Sequence, residues 1–114
     1  MKSGDVVLAS MPQADGQWKN RPALLLCRVQ PFGDLLLCGI STQFRHKVPD
    51  FDEEITPNDE DFADSNLIAP SLIRLGFLTT IAAADIKGTL GRISEIRRKR
   101  LVLRLSEFLK EEAG

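Results

Sequence analysis

The chain has 114 residues, with 15 Lys and Arg against 16 Asp and Glu, a formal net charge of −1, 43% hydrophobic residues and 27% charged ones. That balance fits one globular domain spanning residues 1–114, and a chain of this length buries roughly 65% of its unfolded surface without needing staples. It excludes a helical membrane span, because no run of about 20 apolar residues occurs, and it argues against a largely disordered chain.

In chain order, Val6 to Ala9 read as a strand after the Gly4-Asp5 turn, and residues 11–20, with Pro12, Gly16 and Asn20, read as a loop. Ala23 to Val29 is a near-continuous apolar run, the pattern of a strand buried on both faces. Pro31-Phe32-Gly33-Asp34 signals a turn into a return strand, Leu35 to Ile40, giving the clearest hairpin in the chain. Residues 44–66 predict a long polar loop with weak strand character near Glu54-Ile55. Leu67 to Leu75 carries a strand pattern broken by Pro70, Leu78 to Ile81 and Thr89 to Ile93 are short strands, and a helical turn fits between these two. Ser94 predicts an N-cap with Glu95 in the first turn. Leu101, Val102, Leu105, Phe108 and Leu109 then fall on one helical stripe of about 120°, with Ile96 and Leu103 on the other side. The pattern predicts a mainly β fold, a small barrel closed by a C-terminal α-helix.

Cys27 and Cys38 lie in apolar runs and read as small core residues. The hairpin could bring their sulfurs close, so a disulfide stays open without being indicated. With His46 as the only histidine they make no zinc site. The short apolar run near the start is not a secretory signal, and the expectation is a reduced, cytoplasmic protein.

The small net charge hides a polarised chain. Residues 50–64 hold eight acids and no base, whereas residues 87–110 hold eight bases and two acids. The acidic stretch reads as a solvated loop, or as a guard that confines a polyanion to another face. Asp59, Asp61 and Asp64 offer hard oxygen ligands, but the spacing and glycine of a calcium loop are absent, so no metal or other cofactor is assigned. Arg97-Arg98-Lys99-Arg100 reads either as a solvated helix face or as a contact for nucleic acid or an acidic peptide.

An ordered set of short segments carries the reading further. These are Gly4-Asp5-Val6-Val7, Asn20-Arg21-Pro22-Ala23-Leu24-Leu25-Leu26, Ile40-Ser41-Thr42-Gln43, Asp59-Glu60-Asp61-Phe62, Pro70-Ser71-Leu72-Ile73-Arg74, Thr79-Thr80-Ile81 and Leu90-Gly91-Arg92-Ile93-Ser94. Together they resemble the PemK/MazF family of toxins from type II toxin–antitoxin pairs, over almost the whole chain. The resemblance implies an SH3-like barrel with a C-terminal helix, usually a homodimer. It implies a metal-independent endoribonuclease that cuts single-stranded RNA at short sequences, and a cognate antitoxin whose acidic tail blocks the RNA groove.

By this resemblance Arg21 contacts the scissile phosphate and assists proton transfer, and Ser41 holds a phosphate oxygen or the 2′-hydroxyl. Gln43 orients the phosphate or reads a base, and Arg74 is a second cation for RNA. Trp18 and Lys19 lie in the first loop, where Trp18 is a buried anchor, a base-stacking platform or an antitoxin contact. Some members carry an acidic residue two positions after the Arg74 equivalent, where this chain has Gly76, and some carry a His in the first loop, where it has Trp18. The general base is therefore unassigned, and His46, three residues past Gln43, is the side chain suited by type to acid–base work. Two other readings stand beside the ribonuclease: a module of the same fold that has lost catalysis and binds RNA, an antitoxin or a topoisomerase, and a plain scaffold domain.

Overall fold

A computed structural model describes residues 1–13 and 15–114. Six strands are present: β1 (Asp5–Pro12), β2 (Trp18–Val29), β3 (Asp34–Ser41), β4 (Glu53–Ile55), β5 (Ser71–Ile81) and β6 (Gly88–Arg92). Two helices accompany them, the single-turn α1 (Phe62–Ser65) and α2 (Glu95–Glu112), with 3-10 turns at Phe44–His46 and Ala83–Asp85. The strands form one antiparallel sheet in the order β4-β5-β3-β2-β1-β6, curled into a half-barrel. The mainly β prediction with a C-terminal helix holds.

Apolar residues are buried on both faces of the sheet, which explains the unbroken run in β2. Leu24 and Leu26 join Val6, Cys38, Ile40, Ile73 and Leu75 beneath Leu101 and Leu105 of α2. Ala23 and Leu25 point the other way, into a second cluster with Val7, Ala9, Met11, Leu35 and Leu37. The helix starts as its sequence predicts: Ser94 Oγ accepts from the Arg97 backbone N–H at 3.2 Å, and Phe108 packs on Phe51 with ring centroids 4.6 Å apart. Ile96 and Leu103 are exposed.

Several boundaries differ from expectation. The loop predicted over residues 11–20 is shorter, because β1 and β2 continue pairing out to Pro12 and Trp18. That pairing is made by backbone groups and leaves no apolar signature. The β2–β3 register shifts between Leu25 and Cys27, and beyond that bulge Cys27, Arg28 and Val29 are exposed. Cys27 is therefore not a core residue, whereas Cys38 is fully buried; burial and the nearby Asp52 carboxylate push its thiol pKa up to about 12. Both cysteines are free.

The strand pattern Leu67 to Leu75, interrupted by Pro70, and the short strand Leu78 to Ile81 are not separate strands. Together they are a lead-in followed by one strand, β5, in which Arg74 pairs with Gly39 and Leu78 with Cys38. Leu75, Gly76 and Phe77 thus have no partner on β3 and form a bulge. Gly76 within a strand pattern is the sequence trace of that bulge. The β6 edge is covered by α1. A Cβ on Gly91 would sit 2.1 Å from the Asp64 carbonyl oxygen, and the Asn66 side-chain amide donates to the Leu90 carbonyl at 2.6 Å.

The two charged stretches bind each other. Arg97 is buried and donates from Nε and Nη2 to the Asp61 carboxylate, at 2.8 and 3.1 Å, and from Nη1 to Glu53 at 2.8 Å. Arg100 donates twice to Glu53, at 2.6 and 2.8 Å, and Arg104 reaches the same carboxylate at 3.0 Å. Asp61 also accepts from the Ser94 backbone N–H at 3.0 Å, which ties the acidic segment to the start of α2. Burial would raise the Asp61 and Glu53 carboxyls, but the arginine hydrogen bonds and charges, with the Ser94 backbone N–H at Asp61, together outweigh it and hold both below the usual range. The acidic stretch is therefore not a free solvated guard, and most of the basic run is not a free polyanion face.

Candidate functional site

Where the network neutralises α2, a different set of cations is left open. A pocket of about 490 Å³ lies among β1, β2, β3 and β5 and the turn after β3. Arg21, Ser41, Thr42, Gln43, His46 and Arg74 supply its polar lining, and Met11, Pro12, Pro22, Gly39, Ile40 and Phe77 form its apolar walls, with Gln13 at the rim.

Each polar group has a local cause. On β2, alternation puts Arg21 on the same strand face as Ala23 and Leu25, but beyond the end of the buried cluster, so the guanidinium is exposed. Ala23 pairs with Gly39, and continuing that register brings Arg21 to the level of Ser41, the last residue of β3. Ser41 pairs with Leu72 and Gly39 with Arg74, so Arg74 projects from the neighbouring strand β5. The Ser41 hydroxyl oxygen accepts from the Gln43 backbone N–H at 3.0 Å, a local turn that leads into the 3-10 turn Phe44–His46 and delivers His46 to the pocket. With its oxygen accepting, the hydroxyl proton remains free to donate.

The electrostatics follow from who is paired. Among the described residues, neither Arg21 nor Arg74 lies within ion-pair distance of a carboxylate, in contrast to Arg92, Arg97, Arg98, Arg100 and Arg104. No Asp or Glu lines the pocket. Two guanidinium groups, a hydroxyl, a side-chain amide and an imidazole thus share a concave, carboxylate-free surface, a donor set suited to a phosphodiester. Arg74 Cζ stands 5.1 Å from the centre of the Phe77 ring.

The pocket gathers Arg21, Ser41, Gln43, His46 and Arg74 as the sequence suggested, while Trp18 and Lys19 lie outside its lining. Both begin β2 beside it: Lys19 pairs with Met11 and Trp18 with Pro12. Trp18 is 64% exposed, which removes the buried-anchor reading. Phe77 and Thr42 were not anticipated. The signal for Phe77 was Gly39 in mid-strand, since a Cβ there would come within 2.6 Å of the Phe77 ring.

Among the described residues no group of three or more His, Cys, Asp or Glu side chains is arranged to hold a metal ion, and no helix is long and apolar enough to cross a membrane. Comparison with curated proteins finds no match. Among solved structures, the chain is similar to the Mycobacterium tuberculosis toxin MazF-mt6, with a TM-score of 0.63 and 19% identity, covering 93% of this chain and 96% of that one. That likeness supports the fold. The family profile of the PemK-like, MazF-like toxin of type II toxin-antitoxin systems matches residues 2–109. Matched over nearly its whole length, the chain belongs to the PemK-like, MazF-like toxin family.

Proposed function

We propose that this toxin is a metal-independent endoribonuclease that cuts single-stranded RNA in the pocket containing Arg21. The observation that carries the reading is the gathering of Arg21, Ser41, Gln43, His46 and Arg74 on one surface without a carboxylate. The RNA 2′-hydroxyl attacks the adjacent phosphorus in line, and the bond to the 5′-oxygen of the next nucleotide breaks. The products are a 2′,3′-cyclic phosphate and a 5′-hydroxyl. One proton leaves the attacking hydroxyl and one is delivered to the departing oxygen, while the phosphorane gains negative charge.

Arg21 binds the non-bridging oxygens and stabilises that charge, which makes a metal unnecessary in principle. Ser41 donates its free hydroxyl proton to a phosphate oxygen, Gln43 orients the same group, and Arg74 adds a second cation. His46 supplies the imidazole, the group in the pocket suited by type to proton transfer. Lys19 and Trp18 contact RNA at the rim. The same positive surface accepts the acidic tail of a cognate antitoxin, and the toxin acts in the cytoplasm as a homodimer.

The test is incubation of the purified protein with long single-stranded RNA in EDTA, beside oligonucleotides carrying one 2′-deoxyribose at the mapped cut site. Cleavage of the RNA and survival of the deoxy version are expected; no cleavage, or equal cleavage of both, overturns the mechanism. A second reading, a binding module without catalysis, is favoured by Gly76, which stands where some family members carry an acid. Growth arrest that survives Arg21→Ala supports it.

A further inference from the structure

The bulge in β5 does more than interrupt a strand. It turns Phe77 back over Gly39, where the missing Cβ gives room for the ring: a methyl there would lie 2.6 Å from Cδ1. The ring also packs against the buried cluster of Val7, Ala9 and Leu37, so its position is fixed from behind. Arg74 Cζ stands 5.1 Å over that ring. A second, smaller cavity of about 90 Å³ is lined by Val48, Phe51, Asp52 and Gly76 together with Arg74 and Phe77. Arg74 and Phe77 thus line both cavities.

A cation that serves only as charge needs no planar backing. A half-buried arginine whose guanidinium carbon stands 5.1 Å over an aromatic ring, and without a carboxylate partner among the described residues, has the features of a surface for flat ligands. Unpaired nucleobases stack on aromatic rings and on guanidinium planes, with little dependence on base identity.

We infer that the Arg74–Phe77 stack is a nucleobase platform, which seats a base of the nucleotide flanking the phosphate held at Arg21 and Ser41. This rests on the RNA reading of the pocket and adds to it a further role for Arg74: beside lending charge to the phosphate site, it meets a base together with the Phe77 ring.

The test uses fluorescence anisotropy with two uncleavable single strands of equal length and phosphate charge. One has 2′-O-methyl riboses with bases, and the other is the same backbone without bases. The wild-type protein binds the base-bearing strand about tenfold more tightly. Phe77→Leu, which keeps the volume, and Arg74→Lys, which keeps the charge, each remove most of that preference, and Phe77→Tyr restores it. Folding of each variant is checked by its urea midpoint, and Arg74→Lys serves if Phe77→Leu does not fold. Equal binding of the two strands by the wild type, or full preference in Arg74→Lys, overturns the platform. Cleavage of ordinary RNA is measured alongside. Cleavage without base preference removes the platform and leaves the ribonuclease standing. Base preference without cleavage upholds the platform and removes the catalytic reading. Loss of both overturns both.

Discussion

Replacing Arg97 with Met keeps the length of the side chain and removes its guanidinium. The structure says what is stranded. Glu53 keeps Arg100 at 2.6 Å and Arg104 at 3.0 Å, so it remains compensated. Asp61, whose side chain is 7% exposed, loses two of its three hydrogen bonds and keeps only the Ser94 backbone N–H at 3.0 Å. The cost is that of an uncompensated buried charge, about 3–5 kcal/mol, which for a domain of this size lowers the melting temperature by roughly 12–20 °C. Adding Asp61→Leu removes the stranded charge, and the double variant recovers at least about 2 kcal/mol of the loss. Urea unfolding of the wild type, both single variants and the double variant supplies the cycle. A loss below about 1 kcal/mol in Arg97→Met, or no recovery in the double variant, places Arg97 among ordinary surface pairs and refutes the view that the two charged stretches are spent on each other.

The same network sets the acid response. Asp61 and Glu53 have folded pKa values below their unfolded ones, so the unfolded chain binds more protons in that window, and the stabilisation present above the unfolded carboxylate range is lost as pH falls through the folded values. Urea midpoints from pH 7 downward therefore fall in the wild type, and the gap between wild type and Arg97→Met narrows toward acid; a gap independent of pH contradicts this. Gly91→Ala drives a methyl to 2.1 Å from the Asp64 carbonyl oxygen and displaces α1 from β6, costing at least about 2 kcal/mol in the same assay. An alkylating reagent labels Cys27 in the native protein, and Cys38 reacts only on unfolding; simultaneous labelling of both thiols contradicts the burial assigned to Cys38.

What the sequence disclosed follows from periodicity. The apolar run Ala23 to Val29 announced a strand buried on both faces, which holds as far as Leu26, and Ser94 with the stripe through Leu101 and Leu105 announced the helix. Patterns that rest on backbone pairing were silent: Trp18 to Arg21 extend β2 with exposed side chains, and only their partners on β1 reveal it. In the sequence Gly76 marks only the place of a missing acid, whereas in three dimensions it belongs to the bulge that carries Phe77 to the site. Charge was the least legible property. Arg97 and Arg74 are alike in sequence, yet one is consumed by Asp61 and Glu53 while the other lines the pocket, and that distinction depends on packing between residues 36 and more positions apart. Four of the five pocket residues, Arg21, Ser41, Gln43 and Arg74, came from ordered motifs, and His46 from its chemical type, since nothing in a net charge of −1 points to a phosphate site.

The most direct measurement is the rate of RNA cleavage in EDTA by the wild-type protein and by Arg21→Ala at matched urea midpoints. Arg21 is exposed and, among the described residues, in no ion pair, so its removal leaves the fold intact. The wild type is expected to cut single-stranded RNA to 2′,3′-cyclic phosphate ends, and the variant to be slower by about 100-fold or more, as for loss of a preorganised group at a developing charge. A wild type that leaves RNA whole, or an Arg21→Ala variant that cuts at the wild-type rate, contradicts the assignment of this pocket as the site of cleavage.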